Sequence, residues 1–243
     1  DPADLAGMTG LCSGGAAVPP ALVLRSEQLG IPLIRSYGST EHPTVTYAAF
    51  ADPLDKRAGT DGRASAGNFF RIVDDDGIEV PLGEPGEIVT MGPELFLGYL
   101  DPEQSSACFT ADGWFKTGDI GTADADGFLT VVDRKKDIII RGGENISSKE
   151  VEDVLARHAA VEEAAVVPWP DKAYGERVGA FIRLKPGAVL DLAGIQAHFR
   201  REGVAIQKTP ERIVIVEDFP RTPFGKIVKR DLRQRISEAR AGQ

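Results

Sequence analysis

The sequence predicts an α/β segment that runs into a β-rich segment, followed by a small α+β domain. Three observations carry this expectation. Near the start, apolar residues at helical spacing are stopped by a glycine and followed at once by a short apolar run. In the middle, β-branched and aromatic runs are separated by turns rich in Asp and Gly. Beyond Asp133, a helix-capping signal opens an alternation of helical and strand-like stretches.

Taken in order, Ala21, Leu22, Leu24 and Leu29 share one helical face, and Gly30 stops the run, which predicts a helix over Ala21–Leu29. Ile31–Ile34 is expected as a buried strand that leads into the turn Ser36-Tyr37-Gly38-Ser39-Thr40, and ligands tend to sit at such strand ends. Phe69–Val73, Glu87–Thr90 and Phe128–Val132 are expected strands of a small, mostly antiparallel sheet or distorted barrel. Asp74-Asp75-Asp76-Gly77 and Asp124-Ala125-Asp126-Gly127 supply its turns. Ser147 and Glu150 fit a capping box, with Val151, Val154, Leu155 and His158 following on one face. Ala164–Val167 and Val178–Leu184 read as strands, and Asp191 opens a helix with Leu192, Ile195 and Phe199 inward and Gly203 as its stop. Ile213–Val216 is expected as a third strand and Lys229–Ile236 as a final basic helix.

With 243 residues, 42% hydrophobic and 27% charged, the chain can bury a real core and has neither a disordered nor a fibrous composition. The formal net charge of −9 argues against general attraction to nucleic acid or an anionic membrane, although Lys226–Arg235 forms a local basic stretch suited to a phosphate-bearing ligand. Cys12 and Cys108 have no metal or redox spacing and are expected to be ordinary thiols in a reducing cytoplasm. No apolar run approaches bilayer-spanning length. The first residues, Asp1-Pro2-Ala3-Asp4, read as a mid-chain start rather than a signal peptide.

Five stretches can carry chemistry. The adjacent glycines of Ser13-Gly14-Gly15-Ala16 allow a flat or phosphorylated ligand close to the backbone. In Ser36-Tyr37-Gly38-Ser39-Thr40-Glu41 the ring can stack on a base, the hydroxyls can donate to phosphate, and Glu41 can hold Mg²⁺. Asp119, after Lys116-Thr117-Gly118, can accept from both ribose hydroxyls of a nucleotide. The charged run Asp133-Arg134-Lys135-Lys136-Asp137, then Ile138-Ile139-Ile140 and Arg141-Gly142-Gly143-Glu144-Asn145, suits a hinge. Lys226, on the loop Pro220–Lys226, can bridge a phosphate and a carboxylate. Singly, each also reads as a turn, a backbone-satisfied carboxylate, a solvated linker or a surface lysine.

In this order, the motifs resemble those of the adenylate-forming superfamily, which includes acyl-CoA synthetases, the adenylation domains of peptide synthetases and firefly luciferase. The resemblance spans essentially the whole chain, and Arg141-Gly142-Gly143-Glu144-Asn145-Ile146 is similar to the acyl-CoA ligase branch. It implies that residues 1–134 are the C-terminal portion of a large adenylation domain, comprising nucleotide site and β-rich subdomain. Residues 135–243 would be a mobile α+β domain joined by a hinge at Lys136.

It also implies the site. Gly14, Gly15, Ala16, Tyr37 and Gly38 border adenine and the acyl pocket; Thr40 touches the α-phosphate; Glu41 binds Mg²⁺. Asp119 grips the ribose, Arg134 lies near ribose or phosphates, and Lys226 promotes adenylate formation. Rotation about Lys136 then withdraws Lys226 and brings in the Gly142-Gly143 loop beside the pantetheine thiol of coenzyme A. ATP, Mg²⁺, coenzyme A and a small carboxylic acid are the implied ligands, with medium- or long-chain, alicyclic and aromatic acids all open. The Lys226 loop also resembles sites where such ligases are switched off by lysine acetylation. One departure is that the family's phosphate loop should lie upstream of Ser13 and is absent, so the chain is expected to be a C-terminal piece with little activity alone. Two alternatives stay open: an adenylating enzyme that loads a carrier protein, and a non-catalytic nucleotide-binding remnant.

Overall fold

The computed structural model describes residue 5 and residues 7–223 and 225–241, with side chains to residue 237. The chain divides into two compact units, residues 1–135 and 136–243.

The first unit holds two four-stranded sheets. In the first, β1 (Leu11–Gly14) runs parallel to β2 (Leu33–Tyr37), and β3 (Thr46–Tyr47) and β4 (Arg63–Ala64) add antiparallel. Helices α1 (Pro20–Gln28) and α2 (Leu54–Gly59) pack on it through Val18, Val23, Leu33 and Ala58. Pro20 suits the first turn of α1, where an amide would have no partner. The strand expected from Ile31 starts two residues later because Ile31 still closes the helix: its N–H donates to Ser26 O, and Ser26 Oγ donates to its carbonyl at 2.6 Å. Pro32 then has no N–H for a ladder.

The second sheet is an antiparallel meander of β5 (Phe69–Val73), β6 (Gly86–Met91), β7 (Phe115–Ala123) and β8 (Leu129–Arg134), around Ile72, Ile88 and Leu129. A short helix, α3 (Pro102–Ala107), capped by Asp101, lies between β6 and β7. The carboxylates of Asp74 and Asp124 each accept two backbone amides across their turns, which is why those Asp-Gly stretches end strands where expected. The stretch Lys116–Asp119, expected only as a ligand-binding motif, lies inside the nine-residue strand β7. A register shift after Ile120 and a positive φ of 70° at Gly118 accommodate it.

In the second unit, β9 (Ile139–Arg141) and β10 (Glu144–Ile146) form a hairpin. Helix α4 (Ser148–Ala156), the long antiparallel pair β11 (Val161–Asp171) and β12 (Gly175–Leu184), α5 (Leu192–Arg201), β13 (Arg212–Ile215) and α6 (Lys229–Ala241) follow. The sheet order is β10-β9-β12-β11, with β13 parallel to β12. Alternate residues of β11 and β12 point to opposite faces. Val166, Ala180 and Ile182 pack with Val151, Leu155, Ile195 and Phe199 of α4 and α5. Val167 and Phe181 pack with Leu232 and Ile236 of α6. A sheet covered on both faces explains the unbroken apolar run at Ala164–Val167.

Only half of the capping box forms. Ser147 Oγ accepts from Glu150 N–H at 3.2 Å, but the Glu150 carboxylate turns away to Lys208 Nζ at 2.7 Å. His158 lies beyond the end of α4 rather than on its face, and its ring meets His198 edge-on at 4.9 Å.

The β9–β10 connection is the two residues Gly142 and Gly143, with φ of +59° and +91°, the mirror-image turn whose twist suits a hairpin. A Cβ on Gly143 would meet nothing within 4 Å, so its substitution tests backbone conformation alone. Gly143→Ala is expected to cost about 1–2 kcal/mol. Calorimetry should show this as a fall of roughly 4–8 °C in the second unit's transition, and an unchanged midpoint would contradict it.

Candidate active site

In the first unit, the parallel strands β1 and β2 end side by side, with Gly14 in register with Ser36. The glycines after β1 and the turn after β2 are thereby brought together at carboxyl ends of parallel strands. Gly15 and Ala16 are exposed there. Gly38 is obligatory, because a Cβ would stand 2.0 Å from the carbonyl oxygen of Pro43. Across the turn, Ser39 N–H donates to His42 O at 2.9 Å, leaving Thr40 exposed and Glu41 half-buried.

The turn rests on a buried polar network. His42 is fully buried. Asn68 Nδ2 donates to Thr44 O at 2.9 Å and to Ser65 Oγ at 2.6 Å, so Asn68 Oδ1 faces His42 Nε2 at 3.0 Å. That oxygen can only accept, which places a proton on Nε2, and in the neutral ring Nδ1 is then the acceptor for Thr90 Oγ1 at 2.9 Å.

Asp119 is the hub on the facing sheet. It stands opposite Arg134 in the β7–β8 register, and Arg134 Nε lies 2.8 Å from its Oδ1. Tyr37 Oη donates to the other oxygen at 2.8 Å. Burial and the nearby Asp119 charge push the Tyr37 hydroxyl far above its ordinary range, so it stays a donor. The Asp119 side chain is only 8% exposed whereas that of Arg134 is 54% exposed, so the pair presents its guanidinium outward. Thr117 Oγ1 accepts from Asp119 N–H and donates to Ile88 O, fixing the backbone under the hub.

Glu41 accepts from Tyr99 Oη at 2.8 Å, and its carbonyl accepts from Phe96 N–H at 2.8 Å. Burial raises the Glu41 carboxyl, but the hydrogen bond from Tyr99, the nearness of its own backbone amide and of Ser39, and the Arg134 charge outweigh that and hold it below the usual carboxylate range. Burial and the bond to Glu41 push the Tyr99 hydroxyl up to about 12. Arg134 therefore acts electrostatically on both Glu41 and Tyr37.

In the second unit, Lys226 sits on a small hairpin. Thr222 N–H donates to Lys226 O at 2.8 Å, Lys226 N–H donates to Thr222 Oγ1 at 3.2 Å, and Gly225 turns the chain at φ +84°. Arg221 braces this loop through Gly225 O and an ion pair with Glu163. Phe224 lies outside the described residues. The Gly142-Gly143 turn is held by Gly142 N–H donating to Tyr174 O at 2.8 Å, and the Arg141 guanidinium lies 4.3 Å from the Tyr174 ring centre. Lys136 is the exposed centre of a short 3₁₀ turn, Lys135–Asp137. Each neighbour is tied within its own unit: Lys135 to Asp75 and Glu87, and Asp137 to Arg233 at 2.6 Å.

The structure thus joins Tyr37, Asp119 and Arg134 directly, and sets Gly14 beside the turn that carries Gly38, Thr40 and Glu41. It adds Tyr99 and His42, which no sequence spacing signals. Tyr99 is 58 residues from Glu41, and only the run of aromatics through Phe96 and Tyr99 hints at a packed loop.

An AMP-binding enzyme model matches residues 1–100, and the model of the AMP-binding enzyme C-terminal domain matches residues 150–226. The medium-chain fatty-acid–CoA ligase of Escherichia coli (strain K12) is 42% identical over 237 residues, which cover 97% of this chain and 42% of that protein. Triostin synthetase I of Streptomyces triostinicus is 43% identical, over 93% of this chain and 44% of that protein. Among solved structures, the o-succinylbenzoate CoA synthetase of Bacillus subtilis, in complex with its acyl-adenylate intermediate, superposes with a TM-score of 0.83 at 31% identity, over 92% of this chain and 46% of that one. The chain therefore spans less than half the length of the relatives it matches.

Proposed function

The chain belongs to the AMP-binding enzyme family, and on that premise we propose that the protein containing it is an ATP-dependent acyl-CoA ligase. It would join a carboxylic acid to AMP, releasing pyrophosphate, and then pass the acyl group to coenzyme A, releasing AMP. The observation that carries this reading is the buried Asp119 carboxylate, interlocked with Tyr37 and Arg134 next to the turn of Thr40 and Glu41.

In this reading, Asp119 accepts from the ribose hydroxyls, held rigidly because Tyr37 and Arg134 fix its plane. Gly14, Gly15, Ala16 and Gly38 leave backbone open for the base and the acyl group, Thr40 donates to the α-phosphate, and the exposed end of Arg134 faces phosphate or ribose. Mg²⁺ fits the donor set: one carboxylate, Glu41, and a neighbouring hydroxyl, with nucleotide phosphates completing an oxygen shell. Among the described residues no group of three or more His, Cys, Asp or Glu is placed to hold a metal ion. When bound, Mg²⁺ would neutralise phosphate charge. Lys226 would supply positive charge as the carboxylate oxygen attacks the α-phosphorus and pyrophosphate leaves. Gly142 and Gly143 would border the pantetheine arm in the second step, with Lys136 as the pivot between the two states. No helix among the described residues is long and apolar enough to cross a membrane, and the need for ATP and coenzyme A suits a cytoplasmic setting.

The test is the full-length protein with ATP, Mg²⁺, coenzyme A and a panel of carboxylic acids, read by mass spectrometry for AMP and acyl-CoA. Medium-chain fatty acids head the panel because a 42% identical relative bears that name. Acyl-CoA from one acid class is the expected outcome. One other acceptor stays in view: acyl-adenylate accumulating without thioester would point to a carrier protein. Neither product would leave a nucleotide-binding remnant.

A further inference from the structure

We propose that Tyr99 is a positioning residue for the reaction, setting the Glu41 carboxylate in the orientation in which it shares a divalent cation with the nucleotide. The proposal rests on the reading of Glu41 given above.

The loop Phe96–Leu100 grips Glu41 twice, once by the Phe96 amide on its carbonyl and once by Tyr99 Oη on its Oε1, both at 2.8 Å. A carboxylate offers about four acceptor positions, so one phenolic donor can fix its plane and leave oxygen lone pairs for a cation. The donor is itself held. Tyr99 N–H donates to Ser105 Oγ at 2.7 Å, and Ser105 Oγ donates back to Tyr99 O at 3.1 Å. The Tyr99 ring meets Phe96 edge-on at 4.9 Å, and Phe96 packs in turn on Phe109 and Phe115, the first residue of β7.

Aromatic packing anchors Phe96, but burial alone does not fix Tyr99, which is 40% exposed and lies between the fully exposed Leu97 and Leu100. Its remaining anchors are polar, Ser105 on the Tyr99 backbone and the Glu41 carboxylate on its hydroxyl, and a surface loop held in this way is where a functional group can sit. Held by the loop, Glu41 need not sample rotamers when the cation and phosphates arrive, so less ordering is required at that moment.

The experiment uses the full-length protein and the Tyr99→Phe variant, which keeps the ring and removes only the donor. Two readouts are taken: the Mg²⁺ dependence of ATP–pyrophosphate exchange, and Mn²⁺ binding in the presence of ATP by electron paramagnetic resonance. Tyr99→Phe is expected to raise the Mg²⁺ concentration for half-maximal exchange about tenfold, to weaken Mn²⁺ binding by a similar factor, and to recover as Mg²⁺ is raised. Glu41→Gln, run in parallel, should move both readouts further. If Tyr99→Phe leaves both unchanged while Glu41→Gln shifts them, the positioning role is wrong and the Glu41 reading stands. A lowered melting temperature without a metal shift makes Tyr99 merely structural and equally overturns the proposal. If Glu41→Gln itself moves neither readout, the reading of Glu41 falls and the role of Tyr99 with it.

Discussion

Lys226→Ala is expected to lower ATP–pyrophosphate exchange by roughly a hundred- to a thousandfold, while thioester formation from a supplied acyl-adenylate stays within about twofold. The size follows from what one positioned donor is worth where charge develops during bond formation. The selectivity follows from the chemistry of the two steps. A carboxylate attacking a phosphate brings negative charges together and needs a cation, whereas a thiol attacking an acyl-adenylate needs an open path. Lys226 is exposed, and the hairpin that carries it is set by Gly225 at positive φ and by Arg221 on Gly225 O and Glu163. Equal loss of both half-reactions would reject the assignment, as would an intact exchange reaction. The same logic covers acetylation of Lys226, which would remove the charge and should reproduce the alanine phenotype.

The elements most legible in the sequence were those whose local signals agree with their tertiary surroundings. Phe69–Val73 is a strand with the expected bounds because alternation ends at an Asp-Gly turn whose first carboxylate closes it. Asp191 caps its helix as read, accepting from Gly194 N–H at 2.8 Å, and Gly203 stops it at φ +69°. Where reading failed, long-range pairing had overridden local pattern. Lys116-Thr117-Gly118-Asp119 looks like a turn, yet β6 and β8 on either side draw it into a strand.

The site divides in the same way. Tyr37, Glu41, Asp119 and Arg134 could be named from motifs, but Tyr37 and Asp119 are 82 residues apart, and no spacing says that they touch. His42 and Asn68, and likewise Tyr99 and Glu41, are partners created only by folding. The Arg35–Asp61 pair had no motif at all.

That pair gives the second large effect: Asp61→Ala is expected to cost the first unit about 3–5 kcal/mol. Arg35 Nη2 lies 2.7 Å from Asp61 Oδ1, and the two side chains are 10% and 11% exposed. Removing the acid would leave an uncompensated buried guanidinium. Buried pairs can often be exchanged for apolar residues at little cost, but this one also satisfies backbone. Asp61 Oδ2 accepts from Val131 N–H of β8 at 2.9 Å, and Arg35 Nη1 donates to Ala58 O at 2.9 Å. The double variant Arg35→Met, Asp61→Leu should therefore recover only part of the loss and remain about 1–3 kcal/mol less stable, the cost of orphaned backbone groups. Urea unfolding of the 243-residue chain in a Trp169→Phe background reads this, since Trp114, in the first unit, is then the one tryptophan of these residues. Because Val131 sits three residues before Arg134 on β8, the single variant should also weaken ATP binding through the Asp119–Arg134 pair. A loss below about 1 kcal/mol would mean that water replaces the carboxylate, and a double variant as stable as wild type would show that the backbone bonds carry none of the cost.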